Sequence, residues 1–225
     1  MASPLVEAEG LGRSYLQAGE AVVALSSATL RIWPGQRIAL VGRSGSGKST
    51  LLHLLAGLDE PSSGSLAWPA LGSIESLLPD KIALVFQAPS LLDSLSVAEN
   101  VALPLLMAGR DRDSSARVKF ALNMFGLLSL ADKLPQTLSG GQMQCVAMAR
   151  AIVGEPKLIL ADEPTGQLDQ VSGQALLDAL FRHLEGSDCA LLIATHDPVI
   201  AARMEIHWQM EHGLLSVSER FAGSV

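Results

Sequence analysis

Hydrophobic positions along this chain fall into two periods, and the elements can be read from where one gives way to the other. Residues 5–9, 22–33 and 37–41 are rich in branched and apolar side chains, with Gly19-Glu20 and Pro34-Gly35 between them, a pattern of strands parted by turns. From residue 47 the spacing becomes helical. Leu51, Leu52, Leu54, Leu55 and Leu58 supply the buried side of a helix over 47–57, and Gly57 fits its stop. A short strand-like piece at 65–68 leads to residues 82–86, a continuous apolar run of the kind a buried parallel strand requires. Residues 88–134 return to helical spacing, with helices predicted over 97–107 and 116–125. Ser139 opens a further helix that reaches Val153. Strand and helix then alternate at 158–161, 173–184 and 190–194, and strands at 206–210 and 214–217 are joined by Glu211-His212-Gly213 as a hairpin turn. The sum is an α/β core with an N-terminal antiparallel sheet and a helical insertion between two core strands.

Composition narrows the classes. A chain of 225 residues can bury a full core, and 48% apolar against 17% charged residues excludes wholesale disorder. The net charge of −7 is spread along the chain and argues against broad binding to nucleic acid or anionic lipid. Met1-Ala2-Ser3-Pro4-Leu5 has neither the basic nor the apolar region of a signal peptide, and the uncharged stretches 101–109 and 134–149 are too short or too polar to span a bilayer. Cys145 and Cys189 fall inside a predicted helix and a predicted strand, without metal-ligand spacing or a disulfide framework, which suits a reducing cytosol.

Against that background the chemistry is concentrated in a few places. Gly42-Arg43-Ser44-Gly45-Ser46-Gly47-Lys48-Ser49 follows an apolar strand and opens a helix, the setting of a phosphate-binding loop. Its glycines let backbone N–H groups converge on β- and γ-phosphates, Lys48 adds a point charge, Ser49 offers a hydroxyl to Mg²⁺, and Thr50 continues the helix. Asp162 and Glu163 end the apolar run 158–161, where a parallel strand delivers its residues to the ligand edge of a sheet. Asp162 suits Mg²⁺. Glu163, before Pro164 and therefore expected in extended geometry, is the candidate general base. Gln87 and His196 end two more core strands in the same way, an amide able to sense Mg²⁺ or the attacking water and an imidazole able to reach a γ-phosphate. Tyr15, the only tyrosine, offers an aromatic face for a base. A second anion receptor is written in Leu138-Ser139-Gly140-Gly141-Gln142. Adjacent glycines at a helix start are costly unless the backbone is closely approached, and a capping Ser139 leaves N–H groups and the positive dipole end facing outward.

These residues, in this order and over nearly the whole chain, resemble the ATP-binding subunit of an ABC transporter. Gly42–Ser49 looks like Walker A, Gln87 the Q-loop glutamine, 138–142 the signature, 158–163 Walker B, 165–169 the D-loop, His196 the H-loop switch and Tyr15 the adenine-stacking aromatic. The resemblance implies a P-loop NTPase (RecA-like) core. One domain over 1–225 would comprise a β subdomain and core at 1–87 and 146–225, with a helical subdomain at about 88–145. It implies ATP and Mg²⁺ as cofactors, a head-to-tail homodimer in which Ser139, Gly140, Gly141 and Gln142 close over the ATP of the other copy, and a cytoplasmic location peripheral to the membrane. A separate integral-membrane permease would dock on the helical subdomain, with no nucleic-acid partner.

A finer likeness, carried by residues 57–64, 95–105 and 161–166, points to the branch of lipoprotein release and macrolide export, which also holds a cell-division ATPase. Importer-type ATPases share part of it, and a regulatory ATPase of the cell-division type or one of DNA repair or translation is the other alternative. Three positions depart from the pattern. Cys145 stands where an arginine is usual, Gln167 replaces the D-loop asparagine, and 65–81 is short and carries Trp68-Pro69.

Overall fold

The computed structural model describes residues 3–218 apart from 18, 111 and 113. Nine strands lie among the described residues: β1 (Val6–Gln17), β2 (Glu20–Ile32), β3 (Arg37–Val41), β4 (Ser63–Ala67), β5 (Ile82–Val85), β6 (Leu158–Asp162), β7 (Ala190–Thr195), β8 (Ile206–Glu211) and β9 (Leu214–Ser218). They form one sheet in the order β4-β1-β2-β9-β8-β3-β7-β6-β5. Pairing is antiparallel within β4-β1-β2 and between β8 and β9, and parallel from β8 through β3, β7 and β6 to β5. The helices are α1 (Lys48–Leu55), α2 (Val97–Met107), α3 (Ser114–Met124), α4 (Gly140–Ile152), α5 (Gln170–Leu184) and α6 (Pro198–Ala201). No helix among the described residues is long and apolar enough to cross a membrane.

The continuous apolar runs are what the parallel strands need. Every residue of β6 and β7 is buried. Because alternate side chains point to opposite faces, each strand feeds two cores. Ile38, Leu40, Leu158, Leu160 and Leu192 pack with Leu51, Leu52, Leu54 and Leu55 of α1 on one side. Ala39, Ile159, Leu191 and Ile193 pack with Val101, Met148, Leu177 and Leu180 of the other helices on the opposite side. Each fully buried Leu or Ile contributes about 1.5–3 kcal/mol, so the sheet is pinned from both faces. Its carboxyl edge is therefore a rigid platform.

Several boundaries differ from those predicted. The first strand runs on to Gln17 rather than ending near residue 9. Gly10 takes a left-handed φ of 56°, and the register shifts against β2 between Ala8 and Leu11, so bulges carry the strand past its glycines. Helix α5 begins at Gln170, because Asp169 caps it by accepting from the Ser172 amide. Gly173 lies inside that helix, where a Cβ would stand 3.3 Å from Thr165 Cβ. In the short segment after β4, the Trp68 indole donates to the Leu55 carbonyl at the end of α1.

Candidate active site

Parallel β3, β7, β6 and β5 end on one edge, and each delivers one part of the site there. After β3 the loop bends through left-handed Gly45 (φ 76°) and Gly47 (φ 108°) into α1. Lys48 is buried, and its Nζ donates to the carbonyls of Gly42 (2.8 Å) and Arg43 (3.2 Å). The loop is seated on distant chain. A Cβ on Gly47 would stand 2.3 Å from the Ala24 carbonyl oxygen of β2, and one on Gly42 would stand 2.4 Å from the Met210 oxygen of β8. The Gly213 amide in the β8–β9 turn donates to the Ser46 carbonyl (3.0 Å). His212 and Gly213 both take positive φ, the signature of a two-residue type I′ hairpin turn.

The donor set fits a magnesium nucleotide. Ser46 Oγ is buried and has no hydrogen-bond partner among the described residues, an orphan that a phosphate oxygen satisfies. Ser49 Oγ donates to Asp162 Oδ2 at 2.5 Å, so a hydroxyl and a carboxylate, hard oxygen ligands of the kind Mg²⁺ prefers, stand side by side at the start of α1.

Glu163 corrects the expectation drawn from Pro164. Its φ is 46°, left-handed rather than extended, at a cost of about 1–3 kcal/mol for a non-glycine residue. Its amide donates to the Ala194 carbonyl of β7 and its carbonyl accepts from the Gly166 amide, which hold the turn. That turn brings Glu163 Oε1 to 2.9 Å from His196 Nδ1 and 4.0 Å from Lys48 Nζ. An ionised carboxylate only accepts, so the imidazole proton of this pair sits on Nδ1. A neutral ring then turns a lone pair outward at Nε2, and only the imidazolium donates from both nitrogens.

Arg43, Ser44, Gly45, Gly47, Lys48, Ser49 and Thr50 line a cavity of about 650 Å³ together with Gln87, Asp162, Glu163 and His196. Tyr15 and Ser139–Gln142 are not part of that lining. Tyr15 lies on β1, 38% exposed. Ser139 caps α4 with a reciprocal box, its hydroxyl accepting from the Gln142 amide and the Gln142 side chain accepting from the Ser139 amide. The box consumes two N–H groups, and those of Gly140 and Gly141 in the first turn remain without an intrahelical partner. The two glycines also have a use within the chain. A Cβ on Gly140 would stand 3.0 Å from Gln167 Oε1, and one on Gly141 would stand 2.7 Å from Leu168 Cδ2. Residues 167–168 therefore pack directly on the start of α4, and the exchanged Gln167 is one of the packing groups.

Two further residues organise the loop after Gln87, and the motif reading missed both. Arg150 on α4 donates to the carbonyls of Pro89 and left-handed Ser90, each at 3.0 Å. Fully buried Asn100 on α2 donates to the carbonyls of Leu92, Leu95 and Ser96 and accepts from the Leu92 amide. Arg150 is the odd polar residue of the otherwise apolar stretch 145–152, and that was the available signal; Asn100 stands beside Glu99 in α2 and offered no such contrast.

Cys145 lies partly buried against the larger core cluster. Burial pushes its thiol up to about 11, and burial likewise raises that of Cys189 to about 11. At pH 8 both are protonated, so alkylation of the native protein should run about a hundredfold slower than that of a thiol near pKa 9. Rapid modification of either cysteine, followed by mass spectrometry, would contradict that burial.

Residues 25–166 match the ABC transporter family. The chain belongs to that family, as an ATP-binding, ATP-hydrolysing cassette. Among curated proteins it is 39% identical to the lipoprotein-releasing system ATP-binding protein LolD of Shewanella oneidensis, over 97% of this chain and 99% of that one. The corresponding LolD proteins of Bordetella pertussis and Pseudomonas syringae pv. tomato are 40% and 41% identical, covering 94% of this chain and 95% and 96% of theirs. Among solved structures, an ATP-binding cassette captured as a dimer in a post-hydrolysis state with ADP and Pi superposes with a TM-score of 0.87. It is 31% identical, over 96% of this chain and all of that one.

Proposed function

We propose that this chain is the ATP-hydrolysing subunit of a lipoprotein-releasing or related extrusion system, working as a head-to-tail pair beneath a separate membrane permease. One observation carries the paired arrangement. The cavity that gathers Lys48, Ser49, Asp162, Glu163 and His196 does not include the outward N–H groups of Gly140 and Gly141. A second copy, turned about a two-fold axis, brings those groups to the first copy's γ-phosphate, and each ATP becomes part of the interface. The likeness to cassettes solved as dimers supports the reading.

In this scheme Lys48 exchanges its loop carbonyls for β- and γ-phosphate oxygens. Ser49 and Asp162 are the residues that would hold Mg²⁺, which when bound would neutralise phosphate charge, and Gln87, in the lining of the same cavity, is the amide that would sense the ion or the attacking water. Glu163 takes the proton of the attacking water. His196 orients that carboxylate through Nδ1. Once the γ-phosphate leaves, the contact that favoured the closed pair is gone, so hydrolysis reopens it. The names of the LolD relatives, ATP-binding proteins of a lipoprotein-releasing system, support release over import. In this reading the protein works on the cytoplasmic side and is held at the membrane by its permease.

The test uses size exclusion with MgATP. Glu163→Gln is expected to run as a dimer, and Ser139→Arg in that background as a monomer that still binds ATP. A dimer that survives the second substitution defeats the head-to-tail arrangement.

A further inference from the structure

Arg13 and Tyr15 on β1 both reach Asp59, which lies in the segment after α1. Arg13 Nε and Nη2 donate to Asp59 Oδ2 (3.0 Å) and Oδ1 (2.5 Å), a two-pronged ion pair. The Tyr15 hydroxyl donates to Oδ2 at 2.7 Å, and the Glu60 amide donates to Oδ1 at 2.8 Å. The Arg13 guanidinium carbon also lies 4.7 Å from the centre of the Tyr15 ring. The ring is therefore tethered at its hydroxyl and covered on one face by a cation, while 38% of the residue stays exposed. Desolvation pushes the Asp59 carboxyl upward, but the Tyr15 hydroxyl, the Glu60 amide and Arg13 together hold it below the ordinary carboxylate range. It is an anion at neutral pH, and the three-residue cluster is fully formed there.

Tyr15 sits beside the nucleotide cavity rather than in its lining. Its cross-strand partner is Val22, and Ala24 on the same strand β2 lines the cavity beside Gly47. A tyrosine near a strand end has several rotamers, and binding that must select one loses affinity to ordering. This cluster makes the selection before a ligand arrives.

We propose that Arg13 and Asp59 are positioning residues that hold the free face of Tyr15 in place for the adenine ring, so that they set the base's share of ATP affinity and leave the triphosphate's share untouched. The proposal rests on the reading of Tyr15 as the adenine platform. Fixing one such side chain in advance corresponds to about a three- to tenfold gain in affinity.

Calorimetric titration of the intact protein with MgATP and, separately, with magnesium tripolyphosphate separates the two shares. Tyr15→Ala should weaken ATP by about tenfold or more, within the range of aromatic–base stacking, and leave tripolyphosphate binding as it was. Asp59→Asn and Arg13→Gln should each weaken ATP about three- to tenfold with tripolyphosphate again unmoved, and Arg13→Lys should recover part of the loss. Tyr15→Phe keeps the ring and deletes only the tether, so it should fall with Asp59→Asn. In the Tyr15→Ala background, Asp59→Asn should cost nothing further.

If Tyr15→Ala leaves the ratio of the two affinities unchanged, the adenine-platform reading itself fails. If that ratio moves but Asp59→Asn leaves it unmoved, the positioning proposal fails. It fails too if Asp59→Asn weakens both probes equally, the mark of a damaged phosphate loop, or adds to the loss without Tyr15.

Discussion

Replacing Glu163 by Gln is expected to lower steady-state phosphate release at saturating MgATP by about 10²–10⁴-fold, the range of a lost general base, while ATP binding persists. The substitution keeps side-chain length and hydrogen-bonding reach, and Lys48, Ser49 and Asp162 stay as they are. What disappears is a proton acceptor held 2.9 Å from His196 Nδ1 and 4.0 Å from Lys48 Nζ. The amide cannot take the proton of the attacking water, so the γ-phosphate stays and, in the paired arrangement, the closed dimer accumulates. Glu163→Asp is a useful companion. It retains the charge but draws the oxygens back from His196, and should fall between wild type and Glu163→Gln. Phosphate release from Glu163→Gln within a factor of a few of wild type would remove Glu163 from the role of base.

The second large effect is structural before it is chemical. Gly47→Ala places a methyl where the Ala24 carbonyl oxygen stands at 2.3 Å, on a residue whose φ is 108°. Left-handed strain alone costs an alanine about 1–2 kcal/mol, and the backbone of β2 cannot swing aside as a side-chain tip can. A combined loss near 3 kcal/mol corresponds, at this chain length, to a melting point lower by roughly 6–12 °C. Nucleotide binding should fall with it, because the amides that converge on the phosphates are displaced. Gly45→Ala separates the two causes. Gly45 is also left-handed, at 76°, yet a Cβ there meets nothing within 4 Å, so only the conformational cost of about 1–2 kcal/mol applies. Equal melting points for the two variants would show that the Ala24 contact carries no weight.

The contrast between these glycines also marks the limit of the sequence pattern. Walker A, the apolar strands and the ends of α2 were legible because each is local, a matter of spacing over a few residues. The ABC fold followed from the order of such pieces. What lay beyond reach depends on chain brought together from afar. Nothing near Gly47 announces Ala24, and nothing near Arg150 announces the carbonyls of Pro89 and Ser90. Glu163 shows local reasoning failing outright. The preference of a residue before proline points to extended backbone, and hydrogen bonds from β7 and Gly166 overrule it. At Gly140 and Gly141 the glycine pair promised a close approach. The structure supplies one in Gln167 and Leu168 of the same chain, which the ligand-based explanation had not called for.

The hairpin under the phosphate loop bears on how the protein is made. Residues 42–49 leave the ribosome well before Met210 and Gly213, the residues that Gly42 and Ser46 rest against. At ordinary translation rates of about 5–20 residues per second, the loop waits roughly ten to thirty seconds for its support. During that interval the nascent chain carries the glycine-rich motif without the strands that shape it. Competence for ATP therefore arrives late and all at once, and nucleotide affinity serves as a gauge of whether the sheet has been completed.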